Sequence, residues 1–144
     1  MAKEYNPQMH SAEHILNRTM LRKFNCGRSF SAHIEKKKSK CDYHFDRDLT
    51  EKEVSEIEGK VNEIINSNLI ISEEFININD AASRYDLSKL PESSGNEIRI
   101  IKIGNYDACP CIGQHVKSTR EIGTFKITST NYSDKVLRIR FKLL

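Results

Sequence analysis

The chain has 144 residues, 38% of them hydrophobic and 30% charged, which suits one soluble domain with its own core. No apolar run approaches the roughly 20 residues needed to cross a bilayer, and the start Met1-Ala2-Lys3-Glu4-Tyr5 lacks the apolar stretch of a secretion signal. A cytoplasmic protein is therefore expected, with no membrane partner. The net charge of +3 tolerates a nucleic-acid partner without requiring one. In that setting Cys26, Cys41, Cys109 and Cys111 read as free thiols or metal ligands rather than disulfides.

Asn6-Pro7 followed by Met9, Ile15, Leu16, Met20, Leu21 and Phe24 predicts an amphipathic helix that ends around Asn25-Cys26-Gly27. Phe30, Ala32 and Ile34 then alternate with Ser29, Ser31, His33 and Glu35. After the polar Lys36-Lys37-Lys38-Ser39-Lys40 stretch, Cys41, Tyr43 and Phe45 alternate with Asp42, His44 and Asp46. The two runs predict a β-hairpin on which Ser29, Ser31 and His33 share the face away from the core. Thr50 with Glu53 forms a capping box that opens a helix carrying Val54, Ile57, Val61, Ile64 and Ile65. A strand over 69–78, a short helix capped at Asn79-Asp80 and ending near Leu87, and a loop over Pro91–Asn96 come next. Three further strands follow, over 97–104, 122–130 and 136–143. The pattern predicts a single α+β domain over 1–144 with helices packed on a mostly antiparallel sheet.

Two motifs carry chemistry. His10-Ser11-Ala12-Glu13-His14 sets two imidazoles on one face of the first helix. Cys111-Ile112-Gly113-Gln114-His115 sets a thiol and an imidazole four residues apart. In a strand those two would stand about 13 Å apart, so they converge only in a turn, which Pro110 and Gly113 allow. Three nitrogens and one sulfur suit a tetrahedral zinc. Glu13 lies between the histidines, but a helix turns it roughly 60° to 100° away from them, which makes it a weak candidate for a general base. The first motif also matches the inverted metallopeptidase signature His-x-x-Glu-His; that reading leaves Cys111 and His115 unexplained. A structural zinc module that binds RNA or protein is a further alternative.

The same residues resemble the editing domains of alanyl-tRNA synthetase and their stand-alone AlaX-type relatives, which are related to the threonyl-tRNA synthetase editing domain. The resemblance runs through His10-Ser11-Ala12-Glu13-His14-Ile15-Leu16, Ile98-Arg99-Ile100-Ile101-Lys102-Ile103-Gly104 and Cys111-Ile112-Gly113-Gln114-His115-Val116. It ends in Ser118-Thr119-Arg120-Glu121-Ile122-Gly123-Thr124-Phe125-Lys126-Ile127. Ile112-Gly113-Gln114 stands where the family often has Gly-Gly-Thr.

The resemblance implies the fold of that editing domain and one zinc per chain on His10, His14, Cys111 and His115. It implies hydrolysis, in trans, of an amino acid wrongly esterified to tRNA, with the acceptor end of the tRNA as partner. The Glu121–Ile127 segment leans towards the alanine branch, hence Ser-tRNA(Ala). A hydroxyl on the first hairpin strand contacts the amino acid in the family, which points to Ser29 or Ser31, with His33 beside them and Gln114 on the metal loop. Lys117 and Arg120 follow the metal motif and are the candidates for holding the tRNA. Arg138, Arg140 and Lys142 on the last strand, and the lysines of the hairpin turn, are weaker candidates for phosphate contacts.

Overall fold

In the computed structural model, residues 6–85, 87 and 96–144 are described. Helix α1 spans Pro7–Phe24. The Asn6 side chain accepts a hydrogen bond from the Met9 N–H at 2.9 Å, and Pro7 stands where a missing N–H costs nothing. Asn25 ends the helix in the left-handed conformation, with φ 54°, which asparagine tolerates. Strands β1 (Ser31–Ile34) and β2 (Ser39–His44) form the expected hairpin. Helix α2 spans Glu51–Asn66 and opens with the Thr50–Glu53 capping box. Strand β3 (Ile71–Asn77), helix α3 (Ile78–Arg84), strand β4 (Glu97–Ile103) and strand β5 (Asp107–Pro110) follow. A 3-10 turn at Thr119–Ile122 leads into β6 (Phe125–Ser133) and β7 (Val136–Leu143).

The strands make two antiparallel sheets, ordered β1-β2-β7-β6 and β3-β4-β5. The main core gathers Met9, Leu16 and Met20 of α1, Ile57, Val61 and Ile65 of α2, and Tyr43, Leu137, Ile139 and Phe141 of the larger sheet. Ile103 and Tyr106, at the β4–β5 turn, join the same core, which ties the smaller sheet to α1. A second cluster packs Ala81 of α3 on Ile98 and Ile100 of β4.

The α+β class and the antiparallel pairing agree with the sequence. Four details differ. There are two sheets rather than one. Strand β5 lies in a segment for which the sequence predicts no strand, and its Pro110 is tolerated because β5 is an edge strand. The run expected over 122–130 is shifted to Phe125–Ser133, because Glu121 first draws the N–H groups of Lys117 and Ser118 to its carboxylate at 3.1 and 2.9 Å. The cap of α3 is Asn77, whose side chain accepts from the Asn79 N–H at 2.8 Å. Residues 91–95 of the expected loop lie outside the described residues. Within the described residues no helix is long and apolar enough to cross a membrane.

Candidate metal centre

His10 and His14 lie one turn apart on α1 and are buried, at 6% and 5% exposure, among the apolar residues of the same helix. Cys111 and His115 come from the loop after β5. One donor atom from each of the four residues falls within 4.8 Å of the others. The three imidazoles face one another, with ring centroids 4.4 to 5.1 Å apart, and the Cys111 sulfur stands 3.5 Å from His10 Nε2. Both ring nitrogens of His14 and of His115 are buried without a hydrogen-bond partner within reach. Buried polar atoms normally find partners. Four convergent lone-pair donors, several of them unsatisfied by protein groups, fit a metal ion and are hard to account for otherwise.

The loop reaches the helix through a small set of fixed contacts. The Cys111 N–H donates to the Arg99 carbonyl at 3.2 Å, and the Arg99 guanidinium donates to the Gly113 carbonyl at 2.8 Å. The Val116 N–H donates to the Ser11 hydroxyl at 3.2 Å, which itself donates to the Pro7 carbonyl. His10 Nδ1 meets the Gln114 carbonyl at 3.2 Å, which leaves Nε2 turned to the cluster. Gly113 is read in the sequence as a turn residue, but space is what it supplies. A Cβ there would lie 2.2 Å from His10 Cε1 and 2.5 Å from Nδ1.

Electrostatics prepare two of the donors. Burial pushes the Cys111 thiol up, but His10, His115 and His14 outweigh it and bring the pKa down to about 3. Burial, joined by the charges of His14 and His10, takes His115 down to about 4 against the pull of Cys111. At neutral pH the sulfur is a thiolate and His115 a neutral base, the forms that bind a cation. Burial opposes a charge on His14, yet Asp107, Cys109 and Cys111 raise its pKa well above the ordinary value.

Glu13 comes closer than helical projection implies, with Oε1 3.6 Å from His10 Nε2. Ser29 departs from the face expected for it. It precedes β1 and is fully buried, its N–H donating to Asn17 Oδ1 at 3.1 Å and its hydroxyl meeting the Cys41 thiol. Ser31 and His33 are exposed, and His33 pairs with Glu35 at 2.9 Å. Gln114 offers the centre its carbonyl, while its side chain is exposed.

Lys117 and Arg120 are exposed beside the loop, and Arg120 reaches the Asn66 carbonyl at 3.4 Å. Arg138 is tied to Asp42 at 2.8 and 3.1 Å, and Arg140 to Asn131 at 2.8 Å. Sequence reasoning missed Asp107, Arg18 and Arg28, which meet beside His14. Arg18 had a signal, since it continues the His10, His14 series at the same spacing. Asp107 had none.

Residues 98–140 match the family model described as the threonyl and alanyl tRNA synthetase second additional domain. The alanine–tRNA ligase of Pseudoalteromonas translucida (strain TAC 125) is 32% identical over 122 residues, which cover 83% of this chain and 14% of the ligase. That of Rickettsia massiliae (strain Mtu5) is 32% identical over 127 residues, 83% of this chain and 14% of the ligase. That of Neisseria gonorrhoeae (strain ATCC 700825 / FA 1090) is 30% identical over 131 residues, 86% of this chain and 14% of the ligase. The chain thus spans about one seventh of the length of these relatives. On this similarity, which extends over most of its length, the chain is alanyl-tRNA synthetase editing-domain-like.

Proposed function

We propose that the chain is a zinc-dependent deacylase that cleaves the ester of a mischarged aminoacyl-tRNA, with Ser-tRNA(Ala) as its substrate. One observation carries the reading: His10, His14, Cys111 and His115 bring four donor atoms within 4.8 Å, at the motif positions through which the chain resembles the editing domains. Three nitrogens and a thiolate suit one tetrahedral zinc. Zinc bound there supplies Lewis acidity towards a water or an ester carbonyl.

The chain's own groups then have distinct roles in this reading. Glu13, with Oε1 3.6 Å from His10 Nε2, takes a proton from the attacking water as general base. Ser31 and His33, exposed on β1, and Gln114 on the metal loop contact the amino acid; Ser29, buried against Cys41, backs that strand rather than touching substrate. A hydroxyl partner for serine leaves an unpaired polar group when alanine binds, which is how a site retains the correct ester. Lys117 and Arg120, exposed beside the loop, take phosphates of the acceptor end, which makes binding salt-sensitive.

The test is deacylation of Ser-tRNA(Ala), Ala-tRNA(Ala) and Ser-tRNA(Thr) by the purified protein. Serine release from the alanine tRNA alone is expected. Zinc bound with no release from any of the three would make the centre a structural zinc module, and peptide cleavage with Glu13 as base would favour the metallopeptidase.

A further inference from the structure

Asp107, the first residue of β5, is a carboxylate at only 4% exposure. A carboxylate buried this deeply is costly unless it is paired and hydrogen-bonded. Here it is held on two sides. Oδ1 accepts from Arg18 Nε at 2.8 Å and from Arg28 Nη1 at 3.1 Å, and Oδ2 accepts from Arg28 Nη2 at 2.7 Å. The two-pronged Arg28 contact fixes the plane of the carboxylate as well as its position. Oδ2 then faces His14 Nδ1 at 3.6 Å, a few tenths of an ångström beyond a hydrogen bond.

The two histidines of α1 are treated alike. Each has an oxygen at Nδ1, the Gln114 carbonyl for His10 at 3.2 Å and the Asp107 carboxylate for His14 at 3.6 Å. That arrangement leaves each Nε2 for the cluster. Metal-binding imidazoles commonly have their second nitrogen held in this way, and the outer partner fixes the tautomer and the ring plane.

We propose that Asp107, clamped by Arg18 and Arg28, is a positioning residue for the metal centre that holds His14 by Nδ1 so that Nε2 meets the ion. The inference rests on the metal reading above and extends it to three residues outside the ligand set. Arg18 of α1, Arg28 of the segment before β1 and Asp107 of β5 would otherwise be only a tie between elements. The tie and the positioning role make different predictions, because a tie affects stability alone.

Zinc affinity is measured by chelator competition on wild type, Asp107→Asn and Arg28→Lys, together with the visible absorption of the cobalt(II)-substituted proteins and thermal melts. Asp107→Asn is expected to weaken zinc 10- to 100-fold and to alter the cobalt bands. Arg28→Lys, which keeps a cation beside Asp107 but loses the two-pronged contact, is expected to weaken zinc as well, by less than Asp107→Asn. Wild-type affinity and bands in Asp107→Asn would overturn the proposal and leave Asp107 a tie.

Because Asp107→Asn can fail to fold, the zinc-loaded wild type is also examined by long-range imidazole proton–nitrogen NMR. His14 protonated at Nδ1 with zinc on Nε2 is expected; zinc on Nδ1 would overturn the proposal. Failure of the wild type to bind zinc or cobalt would remove the metal reading itself, an outcome distinct from the other two.

Discussion

Gly113 is the space that the His10 ring needs. A methyl group at this position would lie 2.2 Å from His10 Cε1, closer than non-bonded carbons approach, and would clash with the residue that brings the first motif to the second. Gly113→Ala therefore forces either the imidazole or the metal loop to move. The expected outcome is zinc binding weakened at least tenfold, with a stability loss of about 1–3 kcal/mol from overpacking, read by chelator competition and urea unfolding. Unchanged zinc affinity would show that the loop shifts freely and that this contact does not set the site.

The Cys111 thiol, held at about 3 by the three histidines around it, is a thiolate throughout the range in which proteins are handled. Alkylation of the metal-free protein, mapped by peptide mass, is expected to modify Cys111 at a rate that stays flat from about pH 5 to 8, where an ordinary thiol with pKa about 8.5 would accelerate steadily. Zinc is expected to protect it. Buried Cys41, pushed up by desolvation, is expected to stay unmodified in the folded chain. A Cys111 rate that rises tenfold per pH unit would contradict the histidine-held thiolate.

The start of α2 supplies a pH dependence independent of the metal. Glu53 bonds to Arg47 and to the Thr50 N–H, and these contacts hold its carboxyl down from 4.5 to about 2. A lowered pKa means stability present above 4.5 and lost as pH falls from there through about 2. Glu53→Gln is expected to lower the urea midpoint at neutral pH, and the gap from wild type to close over that acid range. Thr50→Ala, which removes the hydroxyl that accepts from the Glu53 N–H, is expected to cost about 1 kcal/mol at any pH. A gap that persists unchanged at pH 2 would rule out the charged form as its source.

Lys117→Ala and Arg120→Ala test the placement of the tRNA. If these exposed side chains meet phosphates, each variant should raise KM for aminoacyl-tRNA with little change in kcat. Each should also reduce the slope of log affinity against log salt by about one. A fall in kcat with unchanged KM would place them at the reaction rather than on the tRNA.

Much of this was legible in the chain itself. Asn6-Pro7 and the apolar periodicity gave α1, Thr50-x-x-Glu53 gave the start of α2, and alternation gave the β1–β2 hairpin, because each signal is local. The juxtaposition of His10, His14, Cys111 and His115 was legible from two four-residue spacings joined by a family resemblance. Strand β5 was not, since four residues ending in Pro110 carry no periodicity and an edge strand asks for none. Alternation carried back past Ser31 puts Ser29 on the wrong face, because the Ser29 N–H bonds to Asn17 instead of the ladder. The Asp107 clamp was illegible for a different reason. Its partners Arg18 and Arg28 lie 89 and 79 residues away, and no local pattern encodes a contact at that range.

In the proposed reaction, ester hydrolysis requires a zinc on His10, His14, Cys111 and His115. The most direct test is serine release from Ser-tRNA(Ala) by one preparation, measured as isolated, after zinc removal, and after zinc is returned, with metal content determined at each stage. Loss of release with the metal and recovery at one zinc per chain is the predicted result. Release that continues undiminished in the zinc-free protein would contradict it.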